Sequence, residues 1–349
     1  MSQKKILVIT PFRDDDWKWF SREMGHYAWD INNLDLYAKK AWLWVVNVVP
    51  LLKKIADADL IVSHHPQMSL AVAIWMRIFS IKTPHLACSF NHGNGRFFRG
   101  IHNLLAKWAF KTVWGFVVFS EEEKKIYSNF YRQEINKFSF THWAVNDPET
   151  DGSWWRQQNF PEQYICSLGR NNRDWRLFLE VASSIPYPAV VVCNKSDLFG
   201  LIVPNNVIVL HDLTAAQCAS VVAGSLLNVV PILDDSRGTG HITVVNSMKL
   251  GVPLVIANNA TLRDYFIDGQ HGYVYSVGSA VSLKKSILMV LEGDVQHSTL
   301  SRQCKEFASR WFAESSAKTS LEAVLSSALR SDSLPPASPF DWAKVQKLK

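Results

Sequence analysis

Two short stretches carry side chains suited to holding an anion. In SLGRNNRDW, Ser167 to Trp175, an apolar run ends at Gly169, and the guanidiniums of Arg170 and Arg173 leave the loop ahead of a helix-like segment. In open α/β sheets ligands bind outside the carboxyl ends of strands, where helix N-termini favour phosphate. Two arginines beside such amides make a diphosphate clamp. A solvated loop in which they pair with acids such as Asp174 fits the same residues equally well.

The second stretch is PILDDSRGTGHITVVNSMKLGVPLVIANN, residues 231–259. Gly238 and Gly240 let a ligand approach the main chain, and the amides near Gly240 and His241 open a helix. Thr243 is placed to cap that helix. Asn246 lies one turn further on, where its amide can bond a ribose or sugar hydroxyl. A tight structural turn explains the glycine pair equally well.

A third group is histidine. DLIVSHH ends on His64 and His65, and PHLACSFNHG carries His92 past a second apolar run. An imidazole at a strand end can bond a transferring sugar or orient an acceptor, although each one singly reads as structural. The acidic run Arg13 to Asp16 reads as a solvated loop or helix N-terminus, so no metal site is expected.

The elements that position these groups alternate. KKILVIT, DLIVSHH, PHLACSF and GFVVFS, then YICSLG, AVVVCN, NVIVLHD, LLNVVPILD, PLVIANN and GYVYS, read as buried parallel strands separated by helix-length segments. Such alternation predicts doubly wound α/β sheets. NDPETDGSWWRQQ, Asn146 to Gln158, is rich in turn formers and reads as the interdomain linker. The boundaries are therefore set at 1–147 and 148–334, with 335–349, a Pro/Ser spacer and a short final helix, completing the first domain.

Composition bounds the rest. A chain of 349 residues, 48% of them hydrophobic, can bury two cores. The longest apolar run, Ala41 to Leu52, is too short to span a bilayer and is broken by Asn47 and Pro50. The N-terminus lacks signal-peptide features, so a cytoplasmic location is expected. Five scattered cysteines with no CxxC pair indicate reduced core thiols. Residues 1–150 hold 19 of 37 basic and 14 of 31 acidic side chains, with nine of fourteen tryptophans. A basic, aromatic-rich half suits nucleic acid or an anionic membrane. In GRFFRGIHNLLAKWAFKTVWGF, Phe97, Ile101, Leu104, Leu105 and Trp108 form one helical stripe, with Arg96, Arg99, Lys107 and Lys111 largely elsewhere. The stripe reads as peripheral membrane contact, against the plainer alternative of packing on a sheet. No nucleic-acid motif appears, so nucleic acid is not an expected partner.

The segment GHITVVNSMKLGVPLVIANNATLRDYFIDGQHGYVY resembles the donor-binding part of GT-B glycosyltransferases, in particular the large retaining family numbered four. Asp268, Gly269 and Gly272 match that family's acidic-glycine hairpin, and SLGRNNRDW is similar to the start of its second domain. ADLIVSHHPQMSLAVAIW, TPHLACSFNHG and VVFSEEEKKIY resemble its first-domain segments. The resemblance implies a GT-B fold: two Rossmann-like α/β/α domains facing each other across a cleft, an acceptor domain followed by a donor domain. It further implies a glycosyltransferase that moves a sugar from a UDP- or GDP-linked donor, with retention and without metal or other cofactor, to a surface glycan or lipid-linked acceptor. His92, His65 and Arg170 then fall to catalysis. Gly169, Arg170, Arg173, Gly238, Gly240, His241, Thr243 and Asn246 fall to the donor. The chain departs from the family at two positions: the two customary glutamates, eight residues apart, are Gly238 and Asn246 here, and Asp234 and Asp235 are carboxylates just upstream. A non-catalytic nucleotide-sugar or glycan-binding subunit is the alternative this departure opens.

Overall fold

Runs of Val, Ile and Leu with few intervening polar residues become strands buried on both faces. In the computed structural model, which describes residues 3–12, 19–35, 43–90, 100–234, 238–292, 294–330 and 332, they assemble into two parallel sheets. The chain divides into two units, residues 1–141 with 317–349, and residues 142–316. The first crossing falls at Thr141 rather than at 147, and Gly152–Gln157 of the expected linker is a helix inside the second unit, capped by Asp151, whose carboxylate accepts from Trp154 N at 2.9 Å. The return crossing at Ala317, well before the expected 335, places the last long helix in the first unit. The final helix expected after residue 340 lies outside the described residues.

The first unit runs β1 (Lys5–Thr10), α1 (Trp19–Glu23), β2 (Ala28–Asn33), α2 (Leu43–Val46), α3 (Leu52–Asp57), β3 (Leu60–His64), α4 (Pro66–Ile78), β4 (His85–Cys88), α5 (Ile101–Ala109), β5 (Gly115–Val118), α6 (Glu121–Tyr131) and β6 (Phe138–Phe140). Its sheet order is β2-β1-β3-β4-β5-β6, all parallel. The edge strands β2, AWDINN, and β6, FSF, escape a reading by apolar runs, because one is half polar and the other three residues long.

The second unit runs α7 (Gly152–Gln157), β7 (Ile165–Leu168), α8 (Trp175–Ala182), β8 (Ala189–Val192), β9 (Val207–Leu210), α9 (Ala215–Ala223), β10 (Leu227–Val230), α10 (His241–Lys249), β11 (Leu254–Ala257), β12 (Gly272–Tyr275), α11 (Ala280–Leu291) and α12 (Asp294–Trp311). Its order, β12-β11-β10-β7-β8-β9, places the reversal of direction between β7 and β10. That reversal is where an open sheet leaves a crevice at its carboxyl edge. Phe178, Val191, Val229, Val244, Met248 and Ile287 are buried around it, each contributing about 1.5–3 kcal/mol. Helix α13 (Glu314–Leu329) then crosses back, burying Val324, Leu325 and Ala328 with Ile6, Val8 and Leu60 of the first unit.

Candidate functional site

The two loops singled out from the sequence are laced together at the β7/β10 reversal. Asp174 N donates to Pro231 O at 2.8 Å, Leu233 N to Asn172 O at 3.2 Å, and Arg173 bridges Ile232 in antiparallel fashion. Asn172, at φ 53°, adopts a left-handed conformation that asparagine tolerates, and its Nδ2 reaches Asp234 O at 2.8 Å. Two loops about 60 residues apart in the chain thus converge on one edge of one sheet.

Arg173 is folded back over the strand end. Its Nε donates to Leu168 O at 3.2 Å, Nη1 to Asn171 O at 2.9 Å and Nη2 to Thr243 Oγ1 at 3.1 Å. A Cβ at Gly169 would stand 2.4 Å from Arg173 Nε, so only glycine leaves room for this pose. Asp174 is not the partner of Arg173; its carboxylate caps α8, accepting from Leu177 N at 3.0 Å. No ion pair to Arg173 occurs among the described residues, and burial draws its guanidinium down to about 10, which still leaves it charged at neutral pH. A guanidinium has five N–H donors; three are engaged here, and two remain for an anion.

Thr243 does not cap α10. Gly240, at φ 93°, is the N-cap and supplies no side-chain acceptor to the first turn of α10. Thr243 lies inside that turn with its hydroxyl committed to Arg173. The His241 ring turns inward: its Nε2 meets Thr261 O at 3.0 Å, its ring lies 4.7 Å from that of Tyr265, and burial pushes its pKa down to about 4. A neutral His241 anchors the helix start, and only its main chain belongs to the loop. Gly238 is buried; Asn246 is half-buried on α10, with no side-chain bond to the described residues. Lys249, in the last turn, is buried and pairs with Asp147 at 3.0 Å.

Arg170 is exposed, and its charge is felt by the Cys218 thiol of α9. The two arginines are therefore not an equivalent pair. The sequence missed Tyr275, whose buried hydroxyl has no partner among the described residues and whose pKa burial raises, with Asp174 adding to the rise and Arg173 opposing it. No local signal in GYVYS marks it out. Asp268 holds the hairpin by accepting from Val274 N at 2.9 Å, and Gly269 N donates to Gly272 O at 2.8 Å.

In the first unit, His64 is buried: its Nδ1 meets Ser89 Oγ at 3.0 Å, its ring stacks on Phe20 at 5.9 Å, and desolvation lowers its pKa to about 4. His65 caps α4 at φ 79°, Nδ1 accepting from Gln67 N at 3.3 Å. That bond fixes the Nε2–H tautomer, and burial again lowers the pKa to about 4. His65 thus offers a neutral N–H donor at the β3 end, while His64 is packing. His92, Asp235, the acidic run 13–16, Arg96, Phe97 and Arg99 lie outside the described residues.

Comparison with known proteins bears on this arrangement. Residues 200–311, which include the α10 loop and the hairpin, match the family model described as "Glycosyl transferases group 1". No curated protein sequence matches the chain. Among solved structures, sucrose-phosphate synthase from Thermosynechococcus elongatus is 12% identical at a TM-score of 0.75, covering 95% of this chain and 100% of that one. HepE from Anabaena, solved with UDP and glucose, is 14% identical at 0.72, over 93% and 100%. WaaG, a glycosyltransferase involved in lipopolysaccharide biosynthesis, is 12% identical at 0.63, over 90% and 99%. At such identities these likenesses establish the fold, which is GT-B.

Proposed function

We propose, from the premise that this chain is a GT-B glycosyltransferase whose second unit carries the group 1 segment, that it moves a sugar from a UDP- or GDP-linked donor to a surface-glycan or lipid-linked acceptor. The observation that carries the donor half is the Arg173 guanidinium, held charged with two N–H groups unspent among the described residues, beside a first turn of α10 whose N-cap is a glycine. A departing diphosphate needs that kind of preorganised positive field. HepE, a fold neighbour, was solved with UDP and glucose, which supports a nucleotide in the corresponding unit here.

In this reading the leaving phosphates lie on Arg173 and the main-chain amides of Gly240 to Thr243, with exposed Arg170 reaching the outer oxygens. Asn246 bonds a ribose or sugar hydroxyl as a neutral group where the family has a carboxylate. His65 gives an N–H to a sugar or acceptor hydroxyl, and His92 shares that duty. The basic side chains supply the charge a metal would otherwise bring, so transfer is metal-independent, and the family resemblance makes it retaining. Work on a lipid-linked acceptor places the protein at the inner face of the cell membrane; no helix among the described residues is long and apolar enough to cross it.

Calorimetric titration with UDP and GDP tests the donor assignment. Arg173→Ala is expected to weaken the better nucleotide about 30-fold, from the roughly 2 kcal/mol of a charge-assisted bond, and Asn246→Ala less. Affinity unchanged in both variants refutes the site. The binding-subunit alternative is separated by donor turnover: tight nucleotide binding with neither transfer nor hydrolysis of any sugar nucleotide would favour it.

A further inference from the structure

Helix α5 turns an apolar stripe outward. Ile101, Leu104 and Trp108, spaced i, i+3 and i+7, share one face and are 61%, 67% and 40% exposed, whereas Ala106 and Ala109 on the other side are buried. The neighbouring end of α4 adds Ile78 and Phe79, also exposed. The two helices are tied there: Arg77 lies 5.3 Å over the Trp108 ring, and Thr112, in the turn that continues α5, donates to Ala73 O at 3.5 Å. A contiguous exposed apolar patch of this kind marks an interaction site.

Its electrostatics select the partner. From Leu60 through Ser120 the chain has no Asp or Glu. Arg77, Lys82, Lys107 and Lys111 all belong to this stretch, Lys82 and Lys111 exposed. Lys137 comes up beside them, its Nζ donating to the carbonyls of Lys111 and Val113, with Glu134 next to it as a nearby acid. A second copy would meet this face with lysine against lysine. Nucleic acid would gain from the cations but not from Ile101 and Leu104. An anionic bilayer rewards both, because aliphatic and indole groups enter the headgroup boundary while lysines extend to the phosphates.

We propose that α5 and the end of α4 form a membrane-seating face for an anionic lipid surface, with Ile101, Leu104 and Trp108 inserted and Lys107 and Lys111 on the headgroups. It deepens the function above and rests on it only for the acceptor, which on this view is met at the bilayer.

The test is sedimentation of the full chain with vesicles of phosphatidylcholine alone and with vesicles containing about a third phosphatidylglycerol. The chain is expected to follow the anionic vesicles, less so at high salt. Lys107→Gln with Lys111→Gln should lower the partition about 25-fold, from about fivefold per lysine, and Leu104→Glu should abolish it. UDP titration of the same exposed-face variants should be unchanged, which also shows that they fold. Loss of nucleotide binding in the wild type with vesicle binding intact would sink the donor reading alone. A wild type that ignores both vesicles overturns the membrane face, as does a Leu104→Glu chain that sediments like wild type. So do lipid-free dimers lost in Leu104→Glu without vesicle binding, or oligonucleotide binding in place of vesicle binding.

Discussion

At the scale of single residues, the loop proposed to hold the donor depends on a fold-back that local sequence does not announce. Gly169 reads from sequence as a strand end; its necessity arises from Arg173 four positions on, whose Nε would lie 2.4 Å from any Cβ there. Gly169→Ala is therefore expected to displace the guanidinium and weaken UDP by roughly 30-fold or more, the loss of charge-assisted bonds worth about 2 kcal/mol. Thr243→Val removes one of the three anchors of the guanidinium, at 3.1 Å, and should cost less, roughly threefold to tenfold or about 1 kcal/mol, since the charge stays in place and only its positioning loosens. Titration of both against the wild type checks the order. Equal affinity in Gly169→Ala and wild type would mean that Arg173 does not hold the nucleotide. The residue types of the candidate site are legible, because arginines and glycines in loops are the types that suit an anion. Their inequality is not: Arg170 and Arg173 differ only through long-range neighbours, Thr243 for one and Cys218 for the other.

At the scale of elements, the strands flanking the site were legible because both of their faces are buried, and the apolar runs of β7, β10 and β11 say so. β2 and β6 lie at the sheet edge, where one flank needs no neighbour and the sequence loses its apolar signature. Part of the linker expected at Asn146 to Gln158 is helical for a related reason: the turn formers Asp151 and Gly152 open the helix α7, and capping residues and loop residues are the same types. The hairpin glycines give an element-scale prediction. Gly272 pairs with Leu254 across β11 and β12, and a Cβ on it would fall 1.8 Å from the Leu254 carbonyl oxygen, whereas nothing lies within 4 Å of a Cβ on Gly269. Gly272→Ala must push β12 off its neighbour, costing about 3 kcal/mol or more and lowering the melting midpoint by roughly 10 °C. Gly269→Ala, at φ 78°, bears backbone strain alone, about 1 kcal/mol. Differential scanning calorimetry decides, and a larger fall for Gly269→Ala would contradict the packing account.

At the scale of the whole molecule, both chain crossings are anchored in one aromatic cluster of the second unit. Tyr265 takes the Trp143 amide on its hydroxyl at 2.8 Å, lies 5.0 Å from the His142 ring and 5.3 Å from Phe312, and touches His241 at the start of α10. Such clusters bury histidines that must stay neutral, and this sets how the protein responds to acid. Burial lowers His142, His85 and His271 to about 3, and His64 and His241 to about 4. Each is depressed relative to an unfolded value near 6.5, so its contribution is complete above pH 6.5 and is lost as pH falls toward the folded value. At pH 5 each has forfeited about 2 kcal/mol, and the five together, about 10 kcal/mol, are comparable with a typical reserve of about 5–15 kcal/mol. Glu123 acts oppositely: burial raises it to about 7 despite bonds from Phe119 N and Tyr127, so it favours the folded state as pH falls through 7, but it is one group against five. Melting midpoints should therefore be nearly level from pH 8 to 7, decline from 6.5, and collapse between about 6 and 4. A midpoint as high at pH 5 as at pH 7, by calorimetry in matched salt, would show that these imidazoles are protonated in the folded chain and that the buried network around Tyr265 is not as described.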